Sequence, residues 1–379
     1  MQGLCAPRFE SVRRAFEASF AKGELGAAVA VYLDGDPVVD LWGGYADAAR
    51  TRPWARDTLV SLASTTKGAT AVCLHRLVDT GCLDLDAPVA RFWPEFEQAG
   101  KAALPVRWLL SHRAGLPAIR EPLPSEALFD WKRMTEALAA ERPFWEPGSQ
   151  HGYHALTFGH LVGEVLRRIN GRSLGTFLRA EIAAPLGLDL HVGVPEADLW
   201  RCAEIVPLGA EPGARNKLHA RMRDASTLVG QAFRNPPRSR AVVNTPEWRR
   251  AEIPAANGHA TAHAVARLYA ALARGGELDG VRILSRATLT RAASEEACGP
   301  DAVLPGLHTR FGLGFMLAHR GLPLGPSPRA FGHPGMGGSI GFADPDARIG
   351  FGYVTNRMQS GLAGDARGFA LIAALYASL

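Results

Sequence analysis

The chain has 379 residues, of which 47% are hydrophobic and 21% are charged, a balance that is typical of a globular protein with a large core and excludes a disordered chain. No apolar run approaches the roughly 20 residues of a membrane helix, and residues 1–9 lack the basic start and apolar stretch of a signal peptide. The net charge of +5 is spread over dispersed arginines, so we expect a cytoplasmic protein that binds neither nucleic acid nor membrane.

The first predicted elements are a helix and two strands. The apolar side chains of the helix recur at intervals of three or four residues, at Phe9, Val12, Phe16 and Phe20. This spacing places one apolar stripe against the core. Residues 25–33 and 37–42 have the composition of strands, and the Asp34-Gly35-Asp36 segment between them predicts a hairpin.

A serine and a lysine three residues apart occur twice, and only the second pair lies in a context that suits catalysis. Ser19 and Lys22 fall off the apolar stripe of the first helix, so we interpret them as surface residues. Ser64 and Lys67 stand where the polar segment 61–66 leads into a predicted buried helix. The second pair is therefore the candidate for chemistry.

The chemistry that this pair suggests is nucleophilic attack by Ser64. A serine hydroxyl is a weak nucleophile at neutral pH and needs a neighbouring base, and residues i and i+3 of a helix face the same side. Only five of the 42 basic residues are lysines, and an arginine could not lose its proton. Free N–H groups at a helix start also favour a developing oxyanion. The pattern predicts a nucleophile with its own base, Lys67; the alternative is a helix-capping serine beside a solvated lysine.

The middle of the chain is mostly helical, and strands return near its end. Helices are predicted at residues 106–111, 134–141, 156–169, 174–183 and 262–274. Strands are predicted at residues 311–317, 330–342 and 349–355, and a closing helix at 366–379.

Because strands come from both chain ends, we predict an α+β fold in which an antiparallel sheet built from the two ends is flanked by helices. Residues 1–84 and 276–379 are assigned to this α/β domain, and residues 85–275 to an inserted, mainly helical domain. The active site is expected at the seam between the two, where Ser64 lies.

Two further segments carry candidate chemistry. Tyr153 lies in a turn-rich segment before a predicted helix, where its hydroxyl could pass a proton; an aromatic side chain packed there for structural reasons is the alternative. The glycines of Phe331-Gly332-His333-Pro334-Gly335-Met336-Gly337-Gly338 allow a strand backbone to approach a ligand and to offer an N–H group to an oxyanion.

Ser339 is a rival nucleophile, because Gly337-Gly338-Ser339-Ile340-Gly341 matches the Gly-x-Ser-x-Gly pattern. A nucleophile elbow requires a strand before the serine and a helix after it. Here a hairpin and another strand follow, so we favour Ser64.

No metal or cofactor is expected. His259 and His263 have helical spacing, but no third ligand or glutamate-bearing zinc motif accompanies them. The five cysteines are odd in number and scattered, which favours neither disulfides nor a thiolate zinc site. His112, His154 and His160 are interpreted as hydrogen-bonded structural residues.

Five segments together resemble the serine β-lactamase-like superfamily in order and spacing, over roughly residues 8–379. They are Ser64-x-x-Lys67, Leu109-Leu110-Ser111-His112-Arg113-Ala114-Gly115-Leu116, Pro147-Gly148 followed by Tyr153, Ala256-Asn257-Gly258, and Gly332-His333-Pro334-Gly335. Within the superfamily the chain looks most like the family VIII carboxylesterases, relatives of class C β-lactamases and D-alanyl-D-alanine carboxypeptidases.

The resemblance implies a role for each matching residue. Ser64 attacks an acyl carbonyl, Lys67 accepts its proton, and Tyr153 passes a proton to the leaving group. An acyl-enzyme forms and is hydrolysed, and the oxyanion hole consists of the backbone N–H groups of Ser64 and Met336. Whether Lys67 or Tyr153 is the acylation base stays open. The candidate contacts to the substrate are His333, Gly335 and Trp145.

Two departures from the β-lactamase pattern bear on the substrate. Tyr153-His154-Ala155 lacks the asparagine of Tyr-x-Asn, and His333-Pro334-Gly335 replaces Lys-Thr-Gly, exchanging a permanent cation for a titratable ring. Both changes weaken contacts to a β-lactam. We therefore expect a serine carboxylesterase acting on small short-chain acyl esters, and leave its oligomeric state open.

Three alternatives remain open at this point. Two are enzymes of the same superfamily, a β-lactamase and an acyltransferase. The third belongs to another class: an acyl-binding or sensing module that is acylated and never turns over.

Overall fold

The two ends of the chain build one sheet in the computed structural model, which describes residues 1–207 and 217–379. The strands in chain order are β1 (Gln2–Cys5), β2 (Gly26–Leu33), β3 (Asp36–Gly44), β4 (Val60–Ser61), β5 (Leu190–His191), β6 (His259–Ala260), β7 (Glu277–Leu278), β8 (Val281–Arg282), β9 (Ala297–Pro300), β10 (His308–Phe311), β11 (Met316–Leu317), β12 (Phe331–Pro334), β13 (Ile340–Asp344) and β14 (Ile349–Thr355). Nine of them form an antiparallel sheet in the order β1-β3-β2-β14-β13-β12-β11-β10-β9. A small sheet, β4-β6-β5, and the β7–β8 pair lie outside it.

Helices cover both faces of the large sheet. In chain order they are α1 (Glu10–Ala21), α2 (Thr66–Asp79), α3 (Val106–Leu110), α4 (Trp131–Ala140), α5 (Thr157–Asn170), α6 (Leu174–Leu178), α7 (Ala184–Leu186), α8 (Lys217–Arg223), α9 (Leu228–Arg234), α10 (Pro246–Arg250), α11 (Ala262–Ala273), α12 (Arg286–Ala292) and α13 (Ala366–Tyr376). Helix α11 packs on β14, β2 and β13, while α1 and α13 pack together on the opposite face.

Strand β2 shows why its sequence is apolar at nearly every position. Its odd-numbered residues 27, 29 and 31 join the apolar cluster of α1 and α13, and its even-numbered residues 28, 30 and 32 join the cluster of α2 and α11. Successive side chains of a strand point to opposite faces, so a strand covered on both sides needs apolar residues throughout. Glycine allows the closest approach, because a Cβ atom at Gly350 would lie 2.2 Å from the backbone nitrogen of Ala270 in α11.

The predicted α+β architecture is confirmed, with strands from both chain ends side by side. Strand β14 pairs along its whole length with residues 27–33 of β2, and the hairpin and the two terminal helices are present. Two predicted strands are wrong in their continuity. Residues 311–317 contain only the last residue of β10, then a turn and β11, and Gly314 in that turn has a φ of 91°. Residues 330–342 contain β12, a turn at 335–339, and the start of β13.

The helical region lies beside α2, which packs against α5, α6 and α12 and also touches β12. The N-terminal end of α2 therefore lies between the sheet and the helices. Helix α11 falls inside the range 85–275 but packs on the sheet, so that part of the range does not belong with the helical region. The remaining domain boundaries stay a prediction.

Within the described ranges, no helix combines the length and the apolar character that crossing a lipid bilayer requires.

Candidate active site

The segment before α2 presents Ser64 on a strained turn. Strand β4 runs into a 3₁₀ turn, Ala63–Thr65, in which Ala63 has a φ of 45°. A left-handed conformation costs a non-glycine residue roughly 1–2 kcal/mol, so neighbouring contacts must hold it. The Thr66 hydroxyl donates to the Ala63 carbonyl at 2.6 Å and accepts the Gly258 N–H at 2.9 Å. The N-cap of α2 is Thr65, so Ser64 is not a helix-capping serine.

Lys67 is fully buried and reaches Ser64, as the spacing predicts. Its Nζ atom lies 3.4 Å from Ser64 Oγ and donates to the carbonyls of Ala155 and Ala255 at 2.8 and 2.9 Å. Its exposed fraction is 0%, and its Nζ lies 4.8 Å from the centre of the Tyr153 ring. Burial holds the pKa of Lys67 well below its ordinary value of 10.5.

The hydrogen bonds of Lys67 suit a neutral amine. An uncharged Nζ has two N–H groups and one lone pair, and two carbonyls are in place to accept the two N–H groups. The third direction leads to Ser64 Oγ, where the lone pair can accept the hydroxyl proton. The arrangement can therefore raise the nucleophilicity of Ser64.

Tyr153 lies directly beside this pair. It is 6% exposed, and burial raises the pKa of its hydroxyl above the ordinary value of 10, an effect that the interaction with Ser64 partly opposes. Its backbone N–H donates to Asp301 Oδ1 at 3.1 Å. A phenol that stays protonated next to a serine oxygen can donate a proton to a group leaving from that oxygen's acyl partner.

The candidate oxyanion hole joins this segment to the turn between β12 and β13. The backbone N–H groups of Ser64 and Met336 have no acceptor among the described residues, so both can donate to a ligand. The backbone at Gly335 lies so close to the Ser64 segment that a Cβ atom there would be 2.4 Å from the Leu62 carbonyl oxygen. This contact brings the turn at residues 335–339, hereafter the oxyanion turn, next to Ser64.

Ser339 fastens the oxyanion turn to the Ser64 segment. Its hydroxyl donates to the Leu62 carbonyl at 2.7 Å and lies 3.1 Å from Thr65 Oγ1. It is buried and is followed by a strand, so it has neither the exposure nor the helix of a nucleophile elbow.

The three candidate substrate contacts have different surroundings. His333 is buried, its Nδ1–H donates to the Pro334 carbonyl at 2.7 Å, and its Nε2 has no partner among the described residues. Burial lowers the pKa of His333 to about 3, so the ring is neutral near pH 7. Gly335 lies in the oxyanion turn. Trp145 is half-buried against His154, the residue after Tyr153, with ring centres 6.0 Å apart.

Sequence patterns did not indicate several groups that complete the site. Asp301 is buried and accepts hydrogen bonds from the backbone of Tyr153, Val303 and Leu304 and from the Thr309 hydroxyl. The ring of Phe233, in α9, lies 6.3 Å from that of Tyr153. The Ala255 carbonyl is a main-chain group and has no sequence signature.

The Ala256-Asn257-Gly258 segment directly follows Ala255, whose carbonyl accepts a hydrogen bond from Lys67, and it holds that carbonyl in place. The Asn257 amide donates to the Trp248 and Ala251 carbonyls, both at 2.7 Å, and accepts the Ile253 N–H at 2.9 Å. These bonds close the turn that contains the Ala255 carbonyl.

The other serine–lysine pair does not assemble. Lys22 is exposed at the end of α1, whereas Ser19 is buried and donates to the Phe16 carbonyl at 2.7 Å. The prediction that Ser19 lies on the surface is wrong, because it packs where the helix ends against the following segment. The pair nonetheless has no common geometry.

The remaining histidines have separate partners. His259 Nδ1 lies 2.8 Å from the Asn257 carbonyl, and His263 lies beside Asp40 and Tyr32. No group of three or more metal-ligating side chains occurs among residues 1–207 and 217–379. His154 bonds the Leu116 N–H and the Gly152 carbonyl, which agrees with its interpretation as a structural residue.

Comparison with known proteins gives concordant results. The Beta-lactamase family model matches residues 12–375. The chain is 43% identical over 366 residues to "Esterase/beta-lactamase LipL" of Mycobacterium tuberculosis, covering 95% of this chain and 84% of the relative. A crystal structure of a family VIII carboxylesterase superposes with a TM-score of 0.92 at 44% identity, covering 100% of this chain and 99% of that one. The crystal structure of a penicillin-binding protein homologue from Caulobacter crescentus superposes with a TM-score of 0.91 at 45% identity, covering 100% of this chain and 99% of that one.

Proposed function

Because the chain belongs to the beta-lactamase family and is a serine hydrolase, we propose that it is a carboxylesterase that cleaves short-chain acyl esters through an acyl-enzyme on Ser64. The single observation that carries the proposal is the buried Lys67, with two carbonyl acceptors and its third direction toward the Ser64 oxygen. Burial holds the pKa of Lys67 well below its ordinary value, which favours the neutral amine that can accept the serine proton. We also propose a cytoplasmic location, which five unpaired cysteines support.

The proposed acylation step follows from these positions. Lys67 takes the Ser64 proton as Oγ attacks the ester carbonyl carbon, and the carbonyl oxygen becomes an oxyanion that accepts the N–H groups of Ser64 and Met336. As the tetrahedral intermediate collapses, the C–O bond to the alcohol breaks and Tyr153 donates a proton to the leaving oxygen. Lys67 returns a proton to Tyr153, which restores both groups.

Deacylation uses the same groups in reverse. A water molecule loses a proton to neutral Lys67 and attacks the acyl carbon. The bond between the acyl carbon and Ser64 Oγ then breaks, Lys67 returns the proton to Ser64, and the carboxylic acid is released. The two N–H groups stabilise the second oxyanion as they do the first.

The site suits a neutral ester better than a β-lactam. His333 is an uncharged ring at the position of a lysine in β-lactamases. Ala155 stands in place of the asparagine of Tyr-x-Asn, and the neighbouring His154 uses both ring nitrogens in bonds to the protein. A β-lactam carboxylate would therefore find no cation at position 333, and its amide side chain no amide at the 153–155 segment. These departures, together with the esterase names of the similar proteins, support an ester substrate.

A panel of p-nitrophenyl esters with acyl chains of two to twelve carbons, run beside nitrocefin, tests the proposal. We expect turnover to be fastest on the shortest chains and kcat/KM for nitrocefin to be at least about a hundredfold lower. Nitrocefin hydrolysed as fast as any ester would favour the β-lactamase alternative. Ester product formed on adding an alcohol, in place of acid, would favour the acyltransferase.

Intact mass spectrometry separates the esterase from the sensing module. After the ester is exhausted, an esterase is recovered unmodified, whereas a module that never turns over keeps a stoichiometric acyl adduct on Ser64. Release of one equivalent of nitrophenol followed by no further product would end the esterase proposal.

Replacing Gly335 with alanine is expected to lower kcat about a hundredfold, the loss that a displacement of about 1 Å can cause. The new Cβ would lie 2.1 Å from Ser339 Oγ and 2.4 Å from the Leu62 carbonyl oxygen, so the oxyanion turn must move away from Ser64. Steady-state hydrolysis of the preferred p-nitrophenyl ester measures the effect.

Gly321→Ala is the matched control. There a Cβ would meet only the ring of His319, a half-buried side chain far from Ser64 in the sequence, with a closest approach of 2.9 Å. We expect wild-type kcat from it. A Gly335→Ala enzyme with kcat within about threefold of wild type would show that the turn does not carry the oxyanion N–H.

A further inference from the structure

A buried group of charged side chains packs against the oxyanion turn. It comprises Glu24, which precedes β2, Asp365, the N-cap of α13, and Arg367 within α13. The exposed fractions of their side chains are 0%, 7% and 8%. Arg367 Nη1 donates to Glu24 Oε2 at 2.8 Å, and its Nε donates to Asp365 Oδ2 at 3.1 Å. The guanidinium is therefore fixed between two carboxylates.

Arg367 Nη2, which also donates to Asp365 Oδ2 at 2.5 Å, reaches the oxyanion turn directly. Arg367 Nη2 donates to the Gly337 carbonyl at 2.9 Å and to the Arg357 carbonyl at 3.0 Å. The backbone at Gly338 lies so close that a Cβ atom there would be 2.4 Å from Asp365 Oδ2. Met336 therefore lies in a turn that is held at two points. Ser339 binds the Leu62 carbonyl, and Arg367 binds the Gly337 carbonyl.

We propose that Arg367, held by Glu24 and Asp365, is a positioning residue that sets the direction of the Met336 N–H in the oxyanion hole. The inference rests on the proposed function, because it assigns that N–H to the oxyanion. Ser339 ties the turn to the nucleophile segment, and Arg367 ties the carbonyl of Gly337, the residue directly after Met336, to the C-terminal helix.

A guanidinium is the group that this position requires. It contacts two carboxylates and two carbonyls at once through a planar fork of donors, whereas a lysine ammonium has three donors on one atom. Charge-assisted bonds of this kind are stronger and better oriented than neutral ones. The buried charges also make the arrangement costly to distort, because an unpaired buried ion is strongly unfavourable.

The test compares Arg367→Lys and Glu24→Gln with Tyr353→Phe. The Tyr353 hydroxyl donates to Glu24 Oε2 at 2.7 Å in the same buried group but makes no bond to the oxyanion turn, so it matches the others in burial and differs in function. We expect Arg367→Lys to lower kcat at least about tenfold with KM within about twofold, and Glu24→Gln to lower it less. Tyr353→Phe is expected to keep wild-type kcat even where its melting temperature falls as much.

Two further measurements report on the turn itself. The rate at which a fluorophosphonate labels Ser64 needs the oxyanion hole but no ester turnover, and it should fall in parallel with kcat. Amide hydrogen exchange of a peptide spanning residues 335–339 should accelerate in Arg367→Lys and not in Tyr353→Phe.

Each outcome decides the question. Wild-type kcat, labelling rate and exchange in Arg367→Lys would overturn the inference, as would equal losses of kcat in all three variants. If Arg367→Lys fails to fold, the comparison between Glu24→Gln and Tyr353→Phe decides in its place, and equal kcat in those two variants would overturn the inference. A wild-type protein that is labelled by the fluorophosphonate but hydrolyses no ester would defeat the proposed function alone, and the labelling rates of the variants would still test Arg367.

Discussion

Alanine at position 64 is expected to lower kcat for a short-chain p-nitrophenyl ester by at least about 10⁴-fold, in the range found when a hydrolase loses its nucleophile. The substitution removes the oxygen that we propose forms the acyl-enzyme, while Lys67, Tyr153 and the two proposed oxyanion N–H groups stay in place. The measurement is steady-state hydrolysis at high enzyme concentration, with intact mass recorded after rapid quenching. Wild type should show a transient acyl adduct, and Ser64→Ala none.

Ser339→Ala is the control for this experiment. It removes a buried hydroxyl of the same residue type, close to the same segment, whose loss costs one hydrogen bond to the Leu62 carbonyl. A net loss of about 1 kcal/mol corresponds to a decrease of a few-fold in kcat. Substantial turnover by Ser64→Ala, or loss of the adduct in Ser339→Ala, would transfer the nucleophile to Ser339.

Methionine or arginine at position 67 is expected to lower kcat about 10³- to 10⁴-fold. Methionine fills the buried space without a base. Arginine supplies a cation, but its pKa lies too high for it to accept the Ser64 proton. Hydrolysis of the same ester measures both, and activity near wild type in Lys67→Arg would show that a charge at this position suffices.

The pH dependence of the wild type reports the state of Lys67. In the proposed mechanism the neutral amine of Lys67 is the active form, and burial lowers the pKa of Lys67, so kcat/KM should be level at alkaline pH and fall as the pH drops through the lowered pKa. That acid limb should lie well below pH 10.5, the ordinary lysine value. An acid limb with its midpoint at about pH 10.5, and no activity below it, would contradict a neutral Lys67 at lower pH.

Stability offers an independent check with a defined sign. The unfolded chain binds a proton at Lys67 at pH values where the folded protein does not, so the free energy of unfolding should rise with pH between the lowered pKa and 10.5. Lys67→Met lacks this contribution. Urea unfolding of both proteins over this pH window should therefore show a steeper rise for wild type.

The Ser64–Lys67 pair could be predicted because the features that mark it lie close together in the sequence. Helical spacing, a polar entry segment and the type of base are all readable within ten residues. The same spacing at Ser19 and Lys22 gives no site, and the different context of that pair already indicated this, although the burial of Ser19 did not follow from it.

The hydrogen-bond surroundings of Lys67, unlike its spacing from Ser64, could not be predicted from the neighbouring sequence, as a comparison with Lys101 shows. Lys101 is equally buried, but its Nζ donates to three carbonyls, those of Gln98, Ala139 and Glu141. All three protons of an ammonium are used there, and no direction is left for a substrate or a hydroxyl. Lys67 has two carbonyls and a serine. The difference lies in main-chain acceptors up to 188 residues away, which no side-chain pattern records.

The extent of a strand was predictable where the strand is a continuous apolar run, as in β2 and β14. At residues 311–317 and 330–342 the prediction of one continuous strand was wrong, because apolar residues continue through a turn and its glycines did not distinguish that turn from a strand. The second of these hidden turns is the oxyanion turn, so the part of the sheet that matters most for chemistry was the part that the periodicity described least well. Asp301 and Arg367 were missed because their hydrogen bonds to the site go to main-chain groups of residues distant in sequence, the Tyr153 N–H and the Gly337 carbonyl.

The position of β14 in the middle of the large sheet has a consequence for biosynthesis. On the ribosome, β2 emerges early and has only β3 on one side until residues 349–355 appear, more than 300 positions later. During that interval its other edge exposes unpaired amides and carbonyls to any neighbouring nascent chain. Closure of the sheet is a non-local event that must wait for residues 349–355, and assistance from a chaperone would matter most before it.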